Sequence, residues 1–485
     1  MRGSAWFLLN DIGTKAIGKA ASMTIAIKWA IGSLLVVAFA VALTMLSPAF
    51  GHKYDVDEMP ILWLIGILVL AGLFYFLWLP PLIADTLGRA PRETRLIPIG
   101  MIAAGLVARL ILFASEPILE DDYQRYLFDG AVTASGDNPY AIAPDDALAS
   151  SDETLNRVAQ EGGQVLRRIN HPDLKTVYPP VAQAAFALAY LIEPWSLGAW
   201  RSVILLFDFA TLALIVLLLR DVERSVLWSS IYWWNPVVIK ELFNSAHMEA
   251  VLLPFVLLAL WLAMRSRPMA SSLSLAFAAG AKVWPAFLLP VVLRGRIFDA
   301  RQVIGASVLF AAVVAFWAIP IWLGGFDEHS GFVAYLSSWQ TNSAFFPALE
   351  RAIAMLLPPE SAGLAARGVV VICLAAIALQ VSQKPIKTPD DLMGQASLVV
   401  GALVLLSPAQ FPWYAVWFAP FLVFRPWSGF LLLTATIPLY YASFYFLSHD
   451  RLEIFENVVV WVIWVPVWAT LVFEAARKLH RPLAA

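Results

Sequence analysis

Long windows without a charged side chain recur along the chain and constrain its fold more than any other feature. Residues 61–83 and 303–323 are two examples. A helix needs roughly 20 apolar residues to cross the hydrocarbon core of a bilayer, and these windows supply them. Only 14% of the residues are charged, against roughly 25% in a typical soluble protein. An all-α polytopic membrane protein is therefore predicted.

The basic residues predict the orientation of these spans. We expect roughly 12–14 transmembrane helices with both chain ends in the cytoplasm, because this arrangement places the Lys and Arg clusters on one side, as the positive-inside rule requires. It places residues 120–176 outside the cytoplasm. The predicted crossings are 24–46, 61–83, 96–115, 202–219, 226–243, 248–264, two short segments within 271–293, 303–323, 364–381, 393–406, 411–424, 428–446 and 457–473. The basic residues that become cytoplasmic are Arg2, Lys15, Lys19, Arg89, Arg92, Arg95, Arg220, Arg224, Arg265, Arg267, Arg294, Arg296, Arg301, Lys384, Lys387, Arg425 and Arg477.

The segments between the spans indicate how the chain is organised. Residues 120–176 form the largest predicted outer loop, and residues 324–359 form the second. Residues 177–192 are apolar but too short to cross, so we expect a helix lying in or dipping into the outer interface. No short-period repeat is evident, which favours a single integral-membrane domain over residues 1–485. Its predicted parts are N-terminal helices to residue 95, an extracytoplasmic loop with interfacial helices over 116–200, and a transmembrane core over 201–475.

Three adjacent acids, Glu120, Asp121 and Asp122, begin the largest outer loop directly after a predicted span. Neighbouring carboxylates close to a low dielectric repel one another, and desolvation raises the pKa of at least one of them, which suits acid–base chemistry. Asp122 shares a helix face with Tyr126 and has no cation four residues further on, so it is the better candidate for a reactive carboxylate. For Asp121 the alternative is a solvated ion ladder that it forms with Arg125 and Asp129, which follow it at intervals of four residues on a short helix.

A single lysine, Lys282, interrupts the apolar run of residues 273–293. A charge at membrane depth costs a few kcal/mol, so such a lysine normally faces a cavity or an anionic partner. Snorkelling of the ammonium to an interface is the alternative. Two short helices around Lys282 would build a polar pocket inside the bilayer, where a phosphate would be a natural partner.

The histidines are too widely spaced to predict a metal site. His247 and Glu249 lie close together and His171 lies in the largest loop, but no pair has HxxxH-type spacing. Cys373 is the only cysteine, which excludes a disulfide or a thiolate metal site within one chain. We therefore predict no metal site and no firmly implied cofactor; a divalent cation is an option that the spacing does not favour. The formal net charge of -2 predicts no nucleic-acid partner.

Two aromatic residues, Trp413 and Tyr414, lie in the run SPAQFPWYAVW at a predicted outer helix junction. Such aromatics most often form a belt at the membrane interface. They can also stack on a sugar ring or line a groove for a lipid.

Six short motifs follow one another over most of residues 120–424. They are DDYQRY at 121–126, GDNPY at 136–140, YPP at 178–180, HME at 247–249, AKVWP at 281–285 and PWY at 412–414. Their order resembles that of integral-membrane glycosyltransferases of the GT-C class, in particular the bacterial polyprenyl-phosphate-mannose-dependent mannosyltransferases. The acidic loop follows a third predicted span, whereas the common core of the class has it after the first. Two added N-terminal helices are therefore expected.

The resemblance implies an inverting glycosyltransferase in the inner membrane. It would move a sugar, with mannose favoured, from a polyprenyl-phosphate donor to a lipid-linked or glycan acceptor at the extracytoplasmic face. Asp122 matches the catalytic base of the class, and Asp121 and Glu120 are the less favoured choices. The implied substrate-binding residues are Lys282 with Arg125 or Arg201 for the donor phosphate, together with Tyr126, Tyr140, Tyr178, His171, His247, Glu249, Trp413 and Tyr414.

Two other classes of function are compatible with the sequence. A secondary transporter would use Lys282 and the outer carboxylates as a substrate or proton pathway, although no paired broken segments occur in two related halves. A non-catalytic membrane scaffold would not explain Lys282 or the acidic loop.

Overall fold

The computed structural model describes residues 24–89, 94–294 and 299–479. Within these ranges the protein is helical, and the only extended pairing is an isolated bridge between Thr341 and Ala409. The predicted all-α polytopic class is confirmed. Five residues predicted to be cytoplasmic lie outside the described residues, namely Arg2, Lys15, Lys19, Arg92 and Arg296.

The α-helices of the described residues vary from single turns to long spans. Their bounds are Ile25–Leu46, Ile61–Leu87, Ile97–Ile111, Asp122–Ala134, Pro144–Ala149, Glu153–Gly162, Gln164–Arg167, Pro180–Ile192, Leu197–Asp221, Ser230–Trp233, Pro236–Ile239, Leu253–Met264, Pro268–Ala281, Leu289–Leu293, Ala300–Gly324, Gly331–Ser338, Phe346–Ala354, Pro359–Ser382, Pro389–Leu406, Ala415–Leu422, Ser428–Thr436, Ala442–Ser448, Leu452–Ile454 and Val460–Leu479. Shorter 3-10 or π segments are Ser47–Phe50, Leu112–Ala114, Val226–Ser229, Lys240–Asn244, Met248–Val251, Trp284–Leu288, Pro412–Tyr414, Ile437–Tyr441 and Phe455–Val459.

Nine helices of the described part are long and apolar enough to cross a membrane, or ten if the bent pair Pro236–Asn244 and Met248–Met264 is one span. The difference from the roughly 12–14 predicted crossings arises where the chain divides an apolar window into short helices. The two short segments predicted as crossings within 271–293, for example, are the helices Pro268–Ala281 and Trp284–Leu293. At about 1.5 Å per residue, neither helix reaches across a core of roughly 30 Å. The nine are Ile25–Phe50, Ile61–Leu87, Ile97–Ala114, Leu197–Asp221, Ala300–Gly324, Pro359–Ser382, Pro389–Leu406, Ser428–Ser448 and Leu452–Arg477.

The chain divides into two compact units. The first takes its described residues from Met1–Glu116, Glu223–Lys240 and Ala419–Ala485, and the second comprises Pro117–Val222 and Glu241–Phe418. Every residue predicted to act on substrate belongs to the second unit. All the residues of the candidate site therefore lie within the second unit.

Residues of the largest loop fold into a helical layer within the second unit. Helix Asp122–Ala134 packs against helix Pro180–Ile192, so closely that a Cβ atom at Gly130 would lie 2.5 Å from the carbonyl oxygen of Phe186. Apolar side chains of the first helix also join a buried cluster with the three helices that follow it in sequence. Only glycine allows this close approach, which holds the helix that begins at Asp122 against Pro180–Ile192.

Lys175 joins this layer to the second large loop. Its ammonium lies 2.5 Å from Asp327 Oδ2, and its backbone N–H donates to the carbonyl oxygen of His329 at 2.8 Å. Asn138, in the GDNPY motif, donates from Nδ2 to the carbonyl oxygen of Pro320 at 2.8 Å. The two loops predicted to lie outside therefore form one connected surface of the second unit.

Candidate active site

Two tyrosines orient the carboxylate of Asp122. Tyr126, one turn further along the helix, donates its phenol to Asp122 Oδ2 at 3.3 Å, and Tyr178 donates to the same oxygen at 3.2 Å. The predicted shared face of Asp122 and Tyr126 is confirmed. Burial holds the pKa of both phenols well above the usual value, so both remain protonated donors. The Asp122 side chain is 30% exposed, and no described residue forms a hydrogen bond with its other oxygen, Oδ1.

The two acids that precede Asp122 have different environments. Burial, followed by the neighbouring Asp122 and Glu120 carboxylates, raises the pKa of the Asp121 carboxyl to about 7. Among the described residues Asp121 forms no ion pair with Arg125, so the alternative of an ion ladder does not apply. Glu120 is 7% exposed and its Oε2 lies 3.6 Å from Nε2 of His247. Asp122 is therefore the acid that combines a fixed orientation with an accessible oxygen.

A break in the helical backbone brings His247 to these acids. The π-helical turn Lys240–Asn244 precedes Ala246, whose φ of 60° lies in the left-handed region, and the 3-10 turn Met248–Val251 follows. Both π turns and left-handed non-glycine residues cost free energy, and both concentrate at functional sites. The His247 side chain is fully buried at this break.

Side chains of neighbouring elements stabilise the strained break. Trp200 donates from Nε1 to the carbonyl oxygen of Ala246 at 2.7 Å, and Arg201 donates from Nη2 to the carbonyl oxygen of Asn244 at 2.9 Å. The Asn244 amide oxygen in turn accepts the backbone N–H of Ile118 at 3.2 Å. This last bond ties the break to the segment that carries the three acids. The contact of Arg201 with the Asn244 carbonyl oxygen gives this side chain a positioning role.

Carboxylates lie close to both ring nitrogens of His247. Nε2 lies 3.6 Å from Glu120 Oε2 and 3.7 Å from Glu241 Oε2, while Nδ1 lies 3.7 Å from Asp122 Oδ2 and 3.5 Å from the Tyr126 phenol. The Glu241 side chain is 3% exposed. Glu241 is the member of this group that the sequence analysis missed. The sequence did contain an indication of its role, because Glu241 lies inside the predicted span 226–243, and an ionisable residue within a membrane span normally marks a functional position.

Lys282 has an anionic partner in the fold. It ends the helix Pro268–Ala281, and its Nζ lies 2.6 Å from Glu249 Oε1. The Glu249 side chain is 1% exposed, while that of Lys282 is 21% exposed. The ammonium also lies 4.6 Å from the ring centre of Tyr414 and 5.0 Å from that of Trp417, within the range of cation–π attraction. A lysine that is paired yet still partly exposed can accept a further anion.

The aromatic pair Trp413 and Tyr414 connects the acids to this ion pair. Trp413 stacks on the imidazole of His247 with ring centres 4.0 Å apart, and Tyr414 stacks on Trp417 at 4.0 Å. The Tyr414 phenol also shares a hydrogen bond of 2.7 Å with Tyr335 in the second large loop. Trp413 is 8% and Tyr414 is 5% exposed. They form an internal wall of the site, so the interface belt that such residues most often form is not their position here.

Three other residues predicted to bind substrate are Arg125, Tyr140 and His171. Arg125 donates from Nη2 to the carbonyl oxygen of His171 at 2.8 Å and from Nη1 to that of Leu174 at 2.9 Å. Tyr140 donates its phenol to the carbonyl oxygen of Tyr178 at 2.8 Å. The imidazole of His171 is exposed. The contacts of Arg125 and Tyr140 fix the backbone that carries Tyr178, which supports positioning roles for both.

Replacing Arg125 by lysine tests this role. Arg125→Lys should lower the free energy of unfolding by about 1–3 kcal/mol, because a lysine cannot form both bonds of the guanidinium fork to the two carbonyl oxygens. Thermal unfolding of the purified variant measures the loss. An unchanged melting temperature combined with a raised Michaelis constant for a phosphate-linked donor would instead make Arg125 a phosphate ligand.

Part of the chain is similar to one known family of proteins. Residues 176–408 match the model of Glycosyltransferase family 87, a range that includes Tyr178, His247 and Lys282. No curated protein and no solved structure matches the chain. The family match, together with the polytopic helical fold, indicates a membrane glycosyltransferase.

Proposed function

We propose that the protein transfers a sugar, with mannose favoured, from a polyprenyl-phosphate carrier to a hydroxyl of a lipid-linked or glycan acceptor, with inversion at the anomeric carbon. The site faces the extracytoplasmic side of the inner membrane in this proposal. Orientation by the positive-inside rule supports that side. The order of motifs along residues 120–424 supports the carrier and the sugar.

The geometry of Asp122 is the observation that carries the proposal. A transfer of this kind needs a base that removes the proton of the acceptor hydroxyl as the new glycosidic bond forms. Tyr126 and Tyr178 hold one carboxylate oxygen at 3.3 and 3.2 Å, and the 30% exposure of the side chain leaves the other oxygen open to an acceptor. Asp122 Oδ1 takes the proton in this mechanism. Asp121, which has no tyrosine donors among the described residues, is a weaker choice, and so is Glu120, whose side chain is only 7% exposed.

Lys282 stabilises the leaving group in the proposed reaction. As the bond between the anomeric carbon and the carrier phosphate breaks, negative charge develops on the departing phosphate, and a nearby cation lowers the barrier. Lys282 is held by Glu249 at 2.6 Å and by the rings of Tyr414 and Trp417. The same rings, together with Trp413, form the wall beside which the sugar binds in this proposal. Because the displacement occurs in one step, no covalent sugar–enzyme intermediate forms.

A transfer assay tests the proposal. We expect the full-length protein in lipid nanodiscs to form a new glycosidic product from radiolabelled polyprenyl-phosphate mannose and octyl mannoside as acceptor, and NMR of the product to show the inverted anomer. Parallel reactions with polyprenyl-phosphate glucose and with GDP-mannose test the sugar and the carrier.

Each alternative result has a defined meaning. Transfer from GDP-mannose alone would refute the lipid carrier and retain the glycosyltransferase class. Exchange of the donor across sealed vesicles without a new glycosidic bond would instead favour the transporter. Neither transfer nor exchange would favour the scaffold.

A further inference from the structure

We propose that Glu120, Glu241 and His247 bind one divalent transition-metal ion. Each of the three residues offers one potential ligand atom, and these three atoms all lie within 4.8 Å of one another. The spacing in the sequence predicted no metal site, since the fold joins residues that are far apart in the chain. This inference does not depend on the proposed transferase activity.

The distances fit ligands around a metal better than they fit direct hydrogen bonds. His247 Nε2 lies 3.6 Å from Glu120 and 3.7 Å from Glu241, and no described residue forms a hydrogen bond with it although it is buried. A hydrogen bond to either oxygen would bring it to about 2.9 Å. Bonds of roughly 2.0–2.1 Å to a tetrahedral metal place neighbouring ligands about 3.4 Å apart, so small shifts suffice to close the site.

Electrostatics favour a cation at this position. The side chains of Glu120, Glu241 and His247 are 7%, 3% and 0% exposed, so two carboxylates meet where water screens them poorly. Carboxylate oxygens attract a divalent cation more strongly at such a dry site than in water. A divalent ion would bind both carboxylates together with the neutral form of the imidazole.

The second ring nitrogen has the environment typical of a metal-bound histidine. A histidine that binds a metal through one nitrogen usually directs the other toward a carboxylate, which fixes the orientation of the ring. His247 Nδ1 lies 3.7 Å from Asp122 Oδ2 and 3.5 Å from the Tyr126 phenol. On the other side, Ser245 donates from Oγ to Glu241 Oε2 at 3.2 Å. The metal would thus lie across the imidazole from Asp122 and would fix the ring that faces it.

The set of donor atoms selects the kind of metal. One imidazole nitrogen with two carboxylate oxygens suits Zn²⁺ or Mn²⁺, whereas Ca²⁺ and Mg²⁺ prefer oxygen alone. Because the ion lies on the far side of His247 from Asp122, we assign it to positioning and not to contact with substrate. Loss of the metal should therefore lower the stability of the protein.

Metal analysis of the full-length protein tests the site. We expect purified protein, stripped with a chelator and then given Zn²⁺ or Mn²⁺ alone, to bind about one ion per chain with a raised melting temperature. Glu241→Gln should abolish both effects. Asp146→Asn and His329→Gln, which change exposed residues of the two large loops, should bind the metal as the wild type does.

The outcome does not rest on one variant. If Glu241→Gln fails to fold, Co²⁺ added to the stripped wild type gives the answer, because coordination by the site should produce visible absorption bands that saturate at about one equivalent. Wild-type protein that binds neither Zn²⁺ nor Co²⁺, or a folded Glu241→Gln variant that still binds one ion, would overturn the proposal. In the first case His247 would act as a buried, protonated partner of the acids.

Discussion

Asp122→Asn should reduce sugar transfer by about 10²–10⁴-fold while the protein stays folded and inserted in the membrane. Asparagine has nearly the shape of aspartate, and its amide oxygen can still accept the phenols of Tyr126 and Tyr178 that donate to Asp122 at 3.3 and 3.2 Å. The amide cannot remove a proton from an acceptor hydroxyl. The initial rate of product formation at fixed donor and acceptor concentrations measures the loss, and thermal unfolding measures integrity.

Two matched variants make this result specific. Asp146→Asn removes an exposed acid of the same loop and should leave the rate unchanged. Asp121→Asn changes the adjacent acid, which has no tyrosine donors among the described residues, and its rate should fall less than that of Asp122→Asn. The opposite ranking, with Asp121→Asn inactive and Asp122→Asn active, would assign the role of general base to Asp121.

The sequence predicted those parts of the fold that depend on local composition. Long apolar windows predict long helices because each residue contributes to burial within its own segment, and nine such helices occur in the described ranges. Pairings between elements are harder to predict. The sequence predicted the break in the apolar run at Lys282, and the chain does leave the helix there, but the partner of this lysine, Glu249, lies on another element.

The candidate site likewise contains contacts within one helix, which the sequence predicts, and contacts between distant segments, which only the fold creates. Asp122 and Tyr126 are four residues apart on one helix, so the sequence alone placed them on one face. Glu241, by contrast, meets Glu120 only because a strained break at Ala246 turns His247 between them. Propensity scales do not predict such strain, since surrounding contacts stabilise it. Arg125 was predicted at a phosphate for its charge, whereas its bonds to backbone carbonyl oxygens depend on how the loop folds.

Lys282→Met should both destabilise the protein and reduce transfer, and a second substitution separates the two effects. The change leaves the Glu249 carboxylate, 1% exposed, without the cation at 2.6 Å, and breaking a buried pair in this way costs about 3–5 kcal/mol. The double variant Lys282→Met with Glu249→Leu removes the buried charge as well and should recover most of the stability. Thermal unfolding of the two variants measures this recovery.

Transfer should not recover with stability in the double variant. If Lys282 stabilises the departing phosphate, the double variant should remain slower than the wild type by about 10²-fold or more, because no cation replaces the ammonium beside the rings of Tyr414 and Trp417. Lys28→Met removes a lysine paired at 2.8 Å with Asp85, outside the unit that holds the site, and serves as the control with an unchanged rate. Recovery of both stability and rate in the double variant would mean that Lys282 only neutralises Glu249, and the phosphate would then require another cation.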